Sequence, residues 1–250
     1  MVNRVHGPDV PELPISWNQG SIPEPGPYGY LFFLSRNTGT GIMPAAIIPY
    51  KRKNPKTRLS SIFSEKEREE FAEAMMQDVV AAAKDSDCQP VILGTEPFES
   101  EDLVQVAMPE KGLSEALNEY LSCALGSVLI IMADIPLADA TAIKRVIGTQ
   151  KDLAIVPGRG GGTNVIFIKD PVKFRVDYYG GSFLKHMKIA ADAGLSVEII
   201  DSFRLHTDID EEEDLVELLI HGSGKSRAYL ECRGFVLVSE NGRTVVERRP

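Results

Sequence analysis

The chain has 250 residues, of which 43% are hydrophobic and 25% charged, an ordinary composition for a globular protein with a sizeable core. Its formal net charge of -9 argues against a general binder of nucleic acid or of anionic membrane surfaces. The three cysteines match no metal or redox spacing, and no apolar run is long enough to span a bilayer. We therefore expect a cytoplasmic protein with reduced thiols, and neither nucleic acid nor a membrane among its partners.

The chain divides into three parts by composition. Residues 1–42 are rich in proline and glycine and show little periodicity, which predicts a poorly ordered extension. Apolar runs then alternate with amphipathic stretches over 43–222, and this predicts one domain. The tail, 223–250, contains Asn241-Gly242 between two β-prone runs, which is typical of a β-hairpin appendage.

The apolar runs predict buried strands over 45–48, 91–93, 128–132, 153–156, 165–168 and 197–200, and hairpin strands over 229–238 and 244–247. Amphipathic stretches predict a helix that begins at Ser64, and helices over 112–124, 137–147, 182–193 and 210–221. Ser64 and Glu67 form a capping box at the start of the first helix. This alternation predicts an α/β fold, with a mainly parallel mixed sheet flanked by helices.

Five cations lie within residues 51–58, directly after the first predicted strand of an otherwise acidic protein. Ligands bind at the carboxyl ends of strands in open α/β sheets, so these cations are candidates to surround a triphosphate and stabilise a leaving pyrophosphate. We select Lys51, Lys56 and Arg58 as the residues with this role. The alternative is a solvated basic loop of the kind that is common on surfaces.

Three aspartates follow predicted strands and are candidate metal ligands. Asp134 comes directly after the apolar run 128–133, while Asp208 and Asp210 alternate in extended chain and can face the same side. Carboxylates at such a position suit Mg²⁺, which prefers oxygen ligands and is usually shared with substrate phosphates. The sequence therefore predicts a Mg²⁺ site formed by these three residues.

Two of these acids have a structural alternative as helix caps. Asp134 could cap the helix predicted at 137, although Asp139 lies closer to the start of that helix. Asp210 together with Glu213 could cap the last predicted helix. Asp208 has no comparable structural role in the sequence.

Two glycine-rich segments are candidate anion sites. The loop 158–164 lets backbone N–H groups approach an anion, with Arg159 and Thr163 as additional donors. Gly181 and Ser182 precede a predicted helix, whose free N-terminal N–H groups favour a phosphate. The alternatives are an ordinary turn for the loop and a simple N-cap for Ser182.

The two histidines that fall in predicted helices, His186 and His221, have neither a nucleophile nor a metal partner in the sequence. We assign both a structural role. Ser/His/Asp catalysis has no recognisable signature in the chain, so hydrolase chemistry is not supported.

Six short segments, in their order along the chain, resemble the 2-phospho-L-lactate guanylyltransferase family: 48–51, 56–59, 132–137, 161–164, 181–183 and 207–210. The resemblance extends from about residue 43 to beyond residue 222. The tail with its hairpin is similar to the archaeal members. The resemblance implies a Rossmann-like fold of the kind found in sugar-nucleotide and molybdenum-cofactor nucleotidyltransferases. It also implies a homodimer.

The reaction implied by the resemblance joins GTP and 2-phospho-L-lactate to give guanosine diphospho-lactate and pyrophosphate, in biosynthesis of the deazaflavin coenzyme. Bacterial relatives use phosphoenolpyruvate instead. By family analogy Asp134, Asp208 and Asp210 hold the metal, while Thr163, Gly181 and Ser182 bind the phosphate of the acid. Two rival functions remain: transfer to another acceptor, such as molybdopterin or a sugar phosphate, and a non-catalytic nucleotide sensor.

Overall fold

The computed structural model describes residues 43–94 and 111–249, together with the backbone of three short strands outside these ranges. Those strands are β1 (Asn37–Thr38), β2 (Gly41–Ile42) and β5 (Val104–Ala107). The first two pair antiparallel. The rest of the predicted extension over 1–42 lies outside the described residues.

The remaining strands are β3 (Ala45–Tyr50), β4 (Gln89–Gly94), β6 (Val128–Ile131), β7 (Leu153–Pro157), β8 (Thr163–Ile168), β9 (Val197–Ile199), β10 (Phe235–Glu240) and β11 (Arg243–Arg248). The helices are α1 (Glu65–Lys84), α2 (Leu113–Cys123), α3 (Ala140–Ile147), α4 (Ser182–Asp192), α5 (Phe203–His206), α6 (Asp214–His221) and α7 (Lys225–Cys232). Each strand predicted within the central domain is present, whereas β5, α5 and α7 were not predicted.

Seven strands form one mixed sheet in the order β5-β4-β3-β6-β8-β7-β9. The strands from β5 to β6 run parallel, and so do β7 and β9, while β8 is antiparallel to both of its neighbours. A connection as short as the glycine-rich loop 158–162 can join β7 to β8 only as a hairpin, which reverses β8. The predicted mainly parallel mixed sheet flanked by helices is confirmed.

The sheet is buried on both faces, which explains why its central strands are apolar at every position. Ile48 and Leu129 belong to the core cluster on the side of α1. Their neighbours Ile47 and Ile130 belong to the cluster on the side of α2. Burying a side chain of this size stabilises the fold by roughly 1.5–3 kcal/mol, so both layers hold the sheet in place.

Two helices begin later than predicted. The capping box at Ser64 is present. However, α3 begins at Ala140, because the Asp139 side chain accepts from the backbone N–H of Ala142 and caps the helix there. This cap leaves Asp134 outside the helix. The last helix of the predicted domain begins at Asp214 and not at residue 210.

The tail also differs from its prediction. Residues 229–232, predicted as strand, belong to helix α7, and the hairpin strands begin only after Gly234, whose φ is 81°. The predicted turn at Asn241-Gly242 is confirmed, with φ of 52° and 77°. Phe235 of the hairpin packs on Phe63 with ring centroids 5.1 Å apart, so the tail covers the start of α1.

All three cysteines are free thiols, as expected. Among the described residues, no helix is both long and apolar enough to cross a membrane.

Candidate active site

A cavity of about 640 Å³ opens at the carboxyl ends of β3, β4 and β6. One part of its lining is mainly apolar and comes from α1, β4 and α2: Ala72, Met75, Leu93, Leu113 and Ala116. The charged residues of the lining are Lys51, Lys56, Arg58, Lys111, Asp134 and Asp210. The size and the division into an apolar and a charged part suit a ligand such as a nucleotide.

Lys56 lies at the centre of the charged part. Its Nζ is 2.8 Å from Asp134 Oδ2 and 2.5 Å from Asp210 Oδ1, although its side chain is only 9% exposed. Burial lowers the pKa of this ammonium, but the two carboxylates outweigh burial and the pKa is raised above its usual value. Lys56 is therefore a permanent positive charge held between two acids.

The other two selected cations are more exposed. Arg58 Nη1 lies 3.5 Å from Asp210 Oδ2 and 3.7 Å from Glu211 Oε1, with 65% of its side chain exposed. Lys51 lines the cavity and is exposed to solvent. Both side chains have the freedom to turn towards an anionic ligand.

The acid segments are joined by the backbone, since the N–H of Ile209 donates to the carbonyl of Asp134 at 2.9 Å. Asp208 lies close enough to the two acids that Lys56 bridges for their charges to act on its carboxyl. Burial raises the pKa of its carboxyl, and the like charges of Asp134 and Asp210 raise that pKa further. Its Oδ1 is buried and has no hydrogen-bond partner.

These observations bear on the predicted Mg²⁺ site in two ways. Within residues 43–94 and 111–249, no group of three His, Cys, Asp or Glu side chains is arranged to hold a metal ion. The Lys56 ammonium lies between Asp134 and Asp210, where the prediction places the metal. Nevertheless, Asp208 has a buried carboxylate oxygen without a hydrogen-bond partner, and two further carboxylates lie nearby. Carboxylate oxygens of this kind are the ligands that a hard divalent cation requires.

Arg159, predicted to bind an anion, is engaged by another protein group. Its Nη1 pairs with Oδ1 of Asp214, a buried carboxylate at the start of α6. The other oxygen of Asp214 accepts from the backbone N–H groups of Asp210 and Glu211, both at 2.9 Å. Asp214 thus fixes the segment that carries the acids and ties it to the glycine-rich loop.

Thr163, Gly181 and Ser182 come together in a second cluster, as their predicted shared role requires. Thr163 opens β8 and Ser182 is the first residue of α4; both are buried, and Ser182 Oγ donates to Thr163 Oγ1 at 3.2 Å. Gly181 precedes the helix with φ of 59°, a conformation that suits glycine. His186, one turn into the helix, lies 3.0 Å from Thr163 Oγ1 through its Nδ1.

The cavity lining contains none of Arg159, Thr163, Gly181, Ser182 or Asp208. The structure therefore brings the candidates together as two neighbouring groups and not as one ring.

Asn164 links these groups. Its Nδ2 donates to the carbonyl oxygens of Leu205 and His206, just before the segment that carries Asp208. Its Oδ1 lies so close to the backbone of Gly158 that a side chain at that position would collide with it.

Two residues that hold the site segments together were missed by sequence reasoning: Asn164 and Asp214. Asn164 has partners 41 or more residues away, and the Arg159 partner of Asp214 is 55 residues away. The closest sequence signal was the position of Asp214 at a helix start, next to the predicted cap residue Glu213.

Comparison with known proteins gives concordant findings. The profile of a family described as "Guanylyl transferase CofC like" matches residues 44–249. The chain is 65% identical to the 2-phospho-L-lactate guanylyltransferase of Methanoregula boonei over 205 residues, which is 82% of this chain and 95% of that relative. It is 55% identical to the protein of the same name from Methanoculleus marisnigri, over 82% of this chain and 96% of that relative.

Two solved structures share the fold. A crystal structure described as a nucleotide-diphospho-sugar transferase, from Desulfovibrio desulfuricans G20, superposes with a TM-score of 0.63 at 16% identity, covering 76% of this chain and 94% of that one. A nucleotidyl transferase from Methanothermobacter thermautotrophicus has a TM-score of 0.53 at 13% identity, and the match covers 77% of this chain and 100% of that one. At these identities the likeness concerns the fold alone, and the fold is the one predicted.

Proposed function

The chain belongs to the family of CofC-like guanylyl transferases, and on that premise we propose that it transfers GMP from GTP to 2-phospho-L-lactate and releases pyrophosphate. The observation that carries the proposal is the nucleotide-sized cavity with a charged wall built from the cation loop and the aspartates. A second acceptor, phosphoenolpyruvate, has the same carbon skeleton as 2-phospho-L-lactate but a double bond between C2 and C3, and it is the main alternative.

The cavity accommodates the nucleotide with its base and its phosphates on different sides. The apolar residues from α1, β4 and α2 suit the faces of a purine ring. Lys51, Lys56 and Arg58 lie on the charged side and suit the triphosphate. As the bond to the α-phosphorus breaks, these cations stabilise the negative charge that accumulates on the departing pyrophosphate.

We propose that Asp134, Asp208 and Asp210 hold Mg²⁺. A bound Mg²⁺ would neutralise charge on the nucleotide phosphates. The protein contributes the oxygen donors, and Asp214 keeps their segment in place through the N–H groups of residues 210 and 211. Lys56 supplies a further positive charge beside the same acids.

The phosphate of the acceptor acid is placed at the second cluster, on the donors of Thr163, Gly181 and Ser182. The αL conformation of Gly181 leaves the first N–H groups of α4 without a side-chain cap, and such groups favour an anion. The acceptor phosphate is already anionic at neutral pH, so it attacks the α-phosphorus without a general base. Catalysis then depends on alignment and charge neutralisation.

The finer parts of the proposal follow from the family resemblance. We propose a homodimer that acts in the biosynthesis of a deazaflavin coenzyme. Analytical ultracentrifugation of the purified chain tests the first part, with a mass of twice 27.4 kDa expected.

The test of the reaction is pyrophosphate release from GTP and Mg²⁺ with a panel of acceptors: 2-phospho-L-lactate, phosphoenolpyruvate, a sugar phosphate and no acceptor. We expect release that depends on 2-phospho-L-lactate. Release with phosphoenolpyruvate alone would change the acceptor and keep the chemistry. GTP binding without release on any acceptor would replace the proposal with a nucleotide sensor.

A further inference from the structure

His186 is the centre of a buried hydrogen-bond chain that the proposed reaction does not yet use. Its ring is fully buried and lies edge-on against Tyr178, with centroids 4.9 Å apart. On one side the backbone N–H of Asp177 donates to its Nε2 at 3.0 Å. On the other side its Nδ1 lies 3.0 Å from Thr163 Oγ1.

The backbone partner determines which nitrogen carries the proton. A backbone N–H can only donate, so Nε2 of His186 has to be the acceptor and carries no hydrogen. The neutral ring therefore has its proton on Nδ1, and it donates that proton to Thr163 Oγ1. Burial lowers the pKa of His186 to about 4 and thereby keeps the ring neutral at physiological pH. Of the two nearby charges, Asp177 raises this pKa and Lys185 lowers it.

The same reasoning fixes the hydroxyl of Thr163. Its oxygen accepts from His186 Nδ1 and from Ser182 Oγ, so both of its lone pairs are used. The remaining capacity of this hydroxyl is its own hydrogen. Within the described part of the chain, no acceptor takes that hydrogen.

We propose that His186 is a positioning residue for the acceptor, because its tautomer forces Thr163 to present a hydrogen-bond donor to the phosphate of the phosphorylated acid. Without this lock the Thr163 hydroxyl could turn and direct its lone pairs at the anion, which would repel it. The inference rests on the proposed function and adds to it a residue outside the acceptor contacts. The ring would thereby favour an anionic acceptor over a neutral one.

The first test is spectroscopic and uses the unmodified protein. Two-bond ¹H–¹⁵N correlation of ¹⁵N-histidine-labelled protein reports which ring nitrogen of His186 is protonated, with His186→Gln used to assign the signal. We expect a neutral ring protonated at Nδ1 from pH 8 to pH 6. A proton on Nε2, or a charged ring in this range, overturns the inference.

The second test is a double-mutant cycle of His186→Gln and Thr163→Val, read as the KM for 2-phospho-L-lactate and for GTP. Glutamine can replace Nε2 as an acceptor but has no atom at the place of Nδ1. We expect His186→Gln to raise the KM for the acid about tenfold, the size of one lost hydrogen bond to a charged group, with the KM for GTP unchanged. In the Thr163→Val background, His186→Gln should raise the KM for the acid by less than about twofold, because the hydroxyl that His186 orients is absent.

The outcomes separate this inference from the proposed function. If the unmodified protein shows no saturable dependence on the acid, the proposed function fails and the inference fails with it. If it does, but His186→Gln raises the KM equally with and without the Thr163 hydroxyl, only the inference fails. Lys188→Gln, at an exposed position of the same helix, is the control and should remain close to the unmodified protein.

Discussion

The charged wall of the cavity and the cluster around Thr163 organise polar groups in opposite ways. In the first, Lys56 holds two carboxylates by full charges, and its neighbour Arg58 remains largely exposed. In the second, neutral groups are buried and joined by hydrogen bonds, and the Thr163 hydroxyl remains available as a donor. Binding of a nucleotide phosphate chain and a metal requires charged side chains that can change their partners. Selection of a small acid requires hydrogen-bond donors that are held in one orientation.

The largest expected effect lies in the charged region. Asp208→Asn removes a carboxylate charge without changing the size of the side chain, and turnover should fall at least ~10²-fold, as loss of a key electrostatic group often does. Pyrophosphate release under saturating substrates measures it. The control is Asp201→Asn, which neutralises an exposed acid elsewhere. Near-normal turnover of the Asp208 variant would refute the proposed metal role.

Lys56→Met should reduce turnover at least ~10-fold, because it removes the positive charge from between two acids that then repel each other. Lys51→Met removes a charge from an exposed position of the same loop and should have a smaller effect. Comparison of the two kcat values tests whether the location between the acids matters. Equal losses would show that only the total charge of the loop counts.

Asp214→Ala tests the link between the charged wall and the glycine-rich loop. The substitution leaves two backbone N–H groups and Arg159 without their acceptor, so the free energy of unfolding should fall by about 3 kcal/mol. Asp214→Asn keeps an oxygen for the backbone and should lose roughly 1 kcal/mol. Urea denaturation measures both values. Unchanged stability of the alanine variant would contradict the role of Asp214.

The cluster around Thr163 should affect how the stability of the protein depends on pH. The pKa of His186 is depressed in the folded state to about 4, so its contribution to stability is fully present above pH 6.5 and is lost as pH falls towards 4. Between pH 8 and pH 5 the unmodified protein should lose about 2 kcal/mol more unfolding free energy than His186→Gln. Urea denaturation at both pH values provides the comparison. Identical pH dependence of the two proteins would exclude a buried neutral ring.

The sequence predicted the strands and the order of the charged segments because both are local signals. An apolar run such as 128–132 marks a buried strand, and Asp134 directly after it marks the edge of the sheet. The reversal of β8 was not predicted, although the loop 158–162 before it is too short for the crossover that a parallel strand requires.

The parts that were missed depend on contacts between distant residues. Lys56 occupies the space between two acids because a left-handed backbone conformation, with φ of 50°, turns it there. The role of His186 depends on a backbone N–H nine residues earlier and on a threonine in another strand. Residues 229–232 were predicted as strand from their apolar content, but helix α7 packs them against α1, where the Tyr229 hydroxyl reaches Glu70 at 2.9 Å.

The most direct test of the division between the two regions is the kinetic effect of Thr163→Val, with both substrates varied. We expect the KM for 2-phospho-L-lactate to rise about tenfold while the KM for GTP stays within about twofold of that of the unmodified protein. A rise in the KM for GTP, with the KM for the acid unchanged, would refute the division into two regions and place the nucleotide at the Thr163 cluster.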